Sequence, residues 1–159
     1  MRSSAKIFGI LLSAIIILFT LCSCADKSTG EIVSEETSKY NETNQSNDVT
    51  LSLENEVVSA ETKILPLVYN NSSASSYTCG EIGTLERRID DVWYVYPQLP
   101  NVAWNALAYE VSPNSYYELP FTLDGYYEQL QPGDYRLIKE IRKMPTNEKS
   151  YAILYFTVD

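Results

Sequence analysis

The chain has 159 residues, with 12 Lys+Arg against 21 Asp+Glu, a formal net charge of −9 at pH 7 and no histidine. A balance this acidic argues against nucleic-acid binding and against attraction to anionic headgroups. The missing imidazole takes away the commonest general base and metal ligand.

The first six residues, Met1-Arg2-Ser3-Ser4-Ala5-Lys6, carry two positive charges and no acidic group. The sequence then runs apolar from Ile7 to Leu21, broken only by Gly9, Ser13 and Thr20. A basic start and an apolar run of about 15 residues are the order of a secretory signal, and fall short of the ~20 residues of a membrane-crossing helix. Leu21-Cys22-Ser23-Cys24 follow, and they resemble the bacterial lipobox: an aliphatic residue, two small residues and an obligatory cysteine. The resemblance implies cleavage between Ser23 and Cys24 and a diacylglycerol on the Cys24 thiol. It also implies palmitate-type acyl chains that hold the mature protein on the extracytoplasmic face of the cell membrane. Two or three such chains anchor stably where one is marginal. The alternative is an ordinary secretory signal whose cysteines are incidental.

Cleavage there removes two basic residues and no acidic one, leaving 10 Lys+Arg against 21 Asp+Glu and a net charge of −11. Cys22 departs with the signal, Cys24 is taken by lipid and Cys79 is left alone, so no intramolecular disulfide is available. A domain of about 100 residues then has to rely on its apolar core. With no histidine to activate it, Cys79 is expected as a small core or loop residue and not as a nucleophile.

From Ala25 to Asn47 the chain is mostly Ser, Thr, Asn, Glu, Lys and Gln, with Ile32, Val33 and Tyr40 as its only sizeable apolar groups. That composition predicts a disordered acidic tether, residues 24–48, between the lipid and a domain over residues 49–159. Beyond Asp48 come short alternating runs of Val, Ile, Tyr and Thr, separated by Asn-Asn-Ser, Pro-Asn, Asp-Gly and Pro-Gly, which read as antiparallel strands. Eight are expected, near 49–53, 56–69, 83–89, 92–96, 106–111, 116–123, 134–142 and 151–158, with no helix after the signal.

Two stretches fix local geometry. Thr84 to Ile89 and Val92 to Tyr96 flank Asp90-Asp91, the two-residue spacing of a tight hairpin, although Asp-Asp suits a type I′ turn less well than Asn-Gly. In Leu130-Gln131-Pro132-Gly133-Asp134-Tyr135-Arg136, Pro132 and Gly133 turn the chain into an apolar strand. That arrangement fits the corner of a sandwich in which a tyrosine, here Tyr135, bonds back to upstream backbone.

With these pieces in view, the chain resembles the small bacterial immunoglobulin-like domains found in lipoproteins of Gram-positive bacteria. The matching segments are Tyr69-Asn70-Asn71-Ser72, Leu85-Glu86-Arg87 with Trp93-Tyr94, Tyr116 to Leu123, and the Pro132-Gly133-Asp134-Tyr135-Arg136 corner. The resemblance implies an all-β, immunoglobulin-like antiparallel sandwich of about seven to eight strands at an extracytoplasmic address. It transfers no catalytic or ligand residue, and the chain lacks the paired core cysteines of antibody-type domains. Trp93 and Tyr135 are expected to be largely buried.

Catalytic signatures are missing: there is no Gly-x-Ser-x-Gly elbow, no phosphate-cradling glycine loop and no paired-cysteine metal spacing. Glu118, Asp124 and Glu128 lie within one stretch where paired carboxylates could act on a glycosidic bond, yet solvated strand and turn positions account for them equally well. Asp90, Asp91 and Asp124 could share a calcium ion, but turn chemistry explains the first two. The 13 tyrosines are the unusual component. Adjacent ones such as Tyr116 and Tyr117 point to opposite faces of a strand, so the outward rings could form a patch for a glycan or protein. The expected function is therefore a lipid-anchored, non-catalytic binding or interaction module, with no cofactor beyond the lipid on Cys24 and no nucleic-acid partner. An accessory or regulatory subunit of an envelope protein and a carboxylate-dependent envelope enzyme are the alternatives.

Overall fold

The computed structural model describes residues 36–40 and 45–159. The signal, Ser23, Cys24 and most of the expected tether lie outside the described residues. What is described is all β: β1 (Val49–Ser52), β2 (Val57–Val58), β3 (Ile64–Leu65), β4 (Val68–Asn71), β5 (Tyr77–Gly80), β6 (Thr84–Ile89), β7 (Val92–Val95), β8 (Ala108–Val111), β9 (Ser115–Glu118), β10 (Phe121–Thr122), β11 (Gly133–Lys143) and β12 (Glu148–Val158).

The long antiparallel pair β11–β12, in register from Gly133↔Val158 to Lys143↔Glu148, forms the spine of the main sheet. Along its other edge β11 is shared. Its first half pairs with β6, which carries β7 outward, and its last residues pair with β5, which carries β8. The second sheet, in order β1-β4-β9, and the short β3–β10 ladder close the other side of an immunoglobulin-like sandwich. Strand alternation builds the core between the layers. Tyr135, Leu137 and Ile141 of β11 and Ala152, Leu154 and Phe156 of β12 meet Val49, Leu65, Leu67 and Tyr69 from the opposite side.

Several expectations change in detail. The expected strand 56–69 is three short ones, because Thr62 N–H turns back to Ser59 O and Pro66 interrupts the ladder between β3 and β4. The expected strand 116–123 is likewise two, β9 and β10, separated at Pro120. β5 had no expected counterpart, since only four residues, Tyr77-Thr78-Cys79-Gly80, follow the Ser-rich loop. Among the described residues there are twelve strands, nine of them of four or more residues, in place of seven to eight.

Trp93 is corrected more sharply. It is half-buried, not a core residue, because β7 turns its other face inward and Tyr96, 2% exposed, takes the core position. The tether boundary also moves. Ser38 N–H donates to Trp93 O at 2.8 Å, Val95 N–H donates to Glu36 O at 2.9 Å, and Ser46 N–H donates to Tyr151 O at 2.7 Å. Polar composition predicts failure to bury a core, but a sheet edge accepts any side chain because its bonds come from the main chain. Residues 36–40 and 45–48 thus form a strap over the outer face of the main sheet.

Candidate functional site

The outer face of the main sheet collects the chemistry. Core-facing positions of β11 alternate with Arg136, Ile138, Glu140 and Arg142, and those of β12 alternate with Tyr151, Ile153 and Tyr155. Near its centre Arg136 Nε donates to Glu86 Oε2 at 2.6 Å, in an ion pair whose side chains are 6% and 0% exposed. Arg136 Nη2 also donates to Ser38 Oγ at 2.8 Å, so the strap supplies one of its acceptors. The guanidinium lies over the Trp93 ring, 4.6 Å from its centroid, and Trp93 in turn packs against Tyr155 with centroids 5.9 Å apart. Tyr40 of the strap meets Tyr151 edge-on at 4.8 Å.

Where this layer runs past the strap it opens into a concavity of about 320 Å³, lined by Val57, Arg88, Trp93, Asp134, Tyr155 and Thr157 among others. Val57 is 57% and Tyr155 43% exposed. Arg88 Nη2 and Asp134 Oδ2 are paired at 2.5 Å, and Thr157 Oγ1 donates to Asp134 Oδ1 at 3.2 Å. Two aromatic rings beside a paired guanidinium and carboxylate can hold a ligand by ring contact and directional hydrogen bonds. The Arg88–Asp134 pair is strand-borne, since Arg88 lies on β6 and Asp134 on β11, so its position is set by the ladder and not by a loop.

The corner beneath is held tightly. Tyr135 O–H donates to Gln131 O at 2.8 Å and accepts from Gln131 N–H at 3.0 Å, with the ring fully buried between Tyr96 and Phe156. Burial pushes its phenol well above the usual tyrosine range. Arg87 Nη2 donates to Pro132 O at 3.0 Å. Gly133 has φ +149°, and a Cβ there would meet Arg87 Nε at 3.3 Å, so both backbone and neighbour favour glycine. The β6–β7 hairpin turns through Asp90 and Asp91 at φ 49° and 63°, the two left-handed residues of a type I′ turn. The aspartates therefore serve the turn.

The remaining carboxylate candidates do not converge. Asp124 and Glu128 line a concavity of about 380 Å³, where Asp124 sits 3.9 Å from Lys63, whereas Glu118 borders a different concavity beside Glu54. No group of three acidic or cysteine residues among the described ones could hold a metal ion. Cys79 is 3% exposed, and burial raises its thiol to about 11. Of the adjacent tyrosines, Tyr116 is 66% exposed while Tyr117 turns in to stack on Tyr109 at 5.9 Å.

Sequence reasoning counted Tyr155 among the tyrosines that could form an outward patch without choosing it, and missed Arg88, Asp134 and the strap residues Ser38 and Tyr40. The alternation of β12 is readable, but Tyr151-Ala152-Ile153-Leu154-Tyr155-Phe156 is apolar at nearly every position. Periodicity of two cannot say which set faces the core when both sets are apolar. It also missed Lys139, which sits in the core at 1% exposure, with Nζ donating to Glu81 O at 2.5 Å and lying 5.0 Å from the Phe121 ring. Burial lowers its ammonium to about 8. Nothing in a Leu-Ile-Lys-Glu-Ile run marks that lysine as the inward one.

No curated protein matches the chain significantly. A family model described as a bacterial Ig-like domain matches residues 45–153, beginning within the second strap segment and covering most of the sandwich. With the fold and this match together, the chain belongs to the bacterial Ig-like domain family.

Proposed function

We propose that the mature protein is a lipid-anchored, extracytoplasmic interaction module, held at Cys24, whose contact surface is the Trp93–Tyr155 concavity. The observation that carries this reading is the exposure of Val57 and Tyr155 beside the Arg88–Asp134 pair on a rigid sheet face. Aromatic area together with a few fixed polar groups suits recognition. Membership in an Ig-like family supports an interaction role, and the Leu21-Cys22-Ser23-Cys24 run supports the anchor.

A photo-crosslinking side chain at Tyr155, used in native membranes, tests the contact surface against the same probe at exposed Tyr116 on the opposite sheet. A discrete adduct from position 155 that disappears with Arg88→Ala is the expected result. Identical adduct patterns from both positions would contradict it. The partner is expected to be a protein or a glycan, and treating the adducts with protease or glycosidase separates the two.

A further inference from the structure

From Val92 to Tyr109 the chain runs eighteen residues without a charged side chain, in a protein of which 21% is charged. After β7 this stretch becomes the loop 97–107, tied down by Leu99 N–H to Tyr126 O at 2.8 Å and by Tyr126 O–H to Ala103 O at 3.3 Å. Trp104 is stacked at its base, 4.2 Å from Tyr126 and 5.3 Å from Phe121 by centroid. Outward it shows Ala103, Ala106 and Leu107, and across a shared groove stands Ile82. Leu107 and Ile82 are 57% and 58% exposed. Of the charged groups around it, Glu81 is engaged from this same cluster by Tyr109 O–H at 3.0 Å and Asn105 Nδ2 at 3.4 Å, and Glu140 and Arg142, which line the same groove, are paired with each other at 2.5 Å.

The strap runs antiparallel to β7, with Thr37 opposite Tyr94 and Val95 bonded to Glu36. Its upstream end therefore lies where β7 gives way to the uncharged loop. Cys24 is only twelve residues before Glu36, a reach of ~40 Å even if fully extended. A domain of this size is ~35 Å across, so a lipid on Cys24 keeps the strap's upstream end, at the start of this loop, within ~40 Å of the bilayer, about one domain diameter.

We infer that the apolar edge formed by Ile82 and the loop 102–107 rests in the interface of the bilayer that carries the Cys24 lipid. The inference depends on the anchor proposed above. Aromatic and aliphatic side chains without charges suit the headgroup boundary. The anchor supplies the effective concentration that so small a patch needs. The acidic remainder of the domain, repelled by anionic headgroups, turns toward solvent. Contact made this way is insensitive to salt.

The test uses the mature, lipidated protein in phosphatidylcholine nanodiscs. Trp93→Phe leaves Trp104 as the sole tryptophan reporter. Lipids brominated near the headgroup are expected to quench Trp104 at low and high salt alike, and Ile82→Asp with Leu107→Asp should abolish the quenching without lowering the melting temperature, because both side chains are exposed. Unquenched Trp104 in protein that remains on the nanodisc would overturn the inference while leaving the anchor intact. So would an edge shielded by a crosslinked protein neighbour. Protein that never enters the nanodisc fraction would instead bring down the anchor itself.

Discussion

Lys139 and the Glu86–Arg136 pair are where single residues leave a measurable signature. Lys139 is held to about 8 by burial, against an ordinary 10.5. Between pH 8 and 9 the unfolded chain therefore binds more protons than the folded one, and stability rises with pH by about 1 kcal/mol. Above pH 9 Cys79 works the other way. Its thiol is raised from an ordinary 9.0 to about 11, so the folded state keeps a proton that the unfolded chain releases. Urea unfolding at pH 7.5, 8 and 9 should show the rise in the parent protein and no rise in Lys139→Met; a parent profile without the rise would show that the ammonium is solvated. Arg136→Met leaves the Glu86 carboxylate buried without its partner and should cost about 3–5 kcal/mol, whereas pairing it with Glu86→Leu should recover most of the loss. Tyr135→Phe strands both the N–H and the C=O of Gln131 and should cost about 1–3 kcal/mol in the same assay. Trp93→Ala, on the outer face, should cost about 1 kcal/mol, and Tyr96→Ala, in the core, about 3–5 kcal/mol. The reverse order would put Trp93 back inside.

At the level of elements, the strap is the part whose role can be isolated. Ser38→Pro removes both the N–H that bonds Trp93 O and the hydroxyl that accepts from Arg136 Nη2, and should cost about 3 kcal/mol. It should also speed hydrogen exchange at Val95, whose N–H bonds Glu36 O. Unchanged exchange at Val95 would mean the strap is not seated on β7 in solution. The same elements show how far sequence reasoning reaches. The β6–β7 hairpin was legible because a two-residue gap between β-rich runs leaves few turn geometries. The tyrosine corner was legible because Pro132-Gly133 fixes where the chain bends. The strap was not, since its polar residues contribute backbone hydrogen bonds that no hydrophobic pattern records. The inward face of β7 was not legible either, because Trp93, Tyr94, Val95 and Tyr96 are apolar in both phases. The proposed contact concavity inherits that ambiguity: the sequence marks Trp93 as a largely buried structural residue and not as one on the outer face, and Arg88 and Asp134 meet only through the register of β6 on β11.

For the molecule as a whole, the proposed function and the inferred bilayer contact make one account: an acidic domain, −11 after the expected cleavage, held at the membrane by lipid, with one apolar edge toward the bilayer and an aromatic concavity toward a partner. Everything in that account that concerns the membrane depends on Cys24. Cys24→Ala should leave the precursor uncleaved with its apolar run attached, and Cys22→Ala should process normally, because a small residue still occupies that position. The most direct measurement is the intact mass and N-terminal peptide of the protein extracted from membranes. The account predicts a chain that begins at Cys24 and carries a diacylglyceryl group on its thiol; an unmodified Cys24, or a mature protein that begins at any other residue, would contradict it.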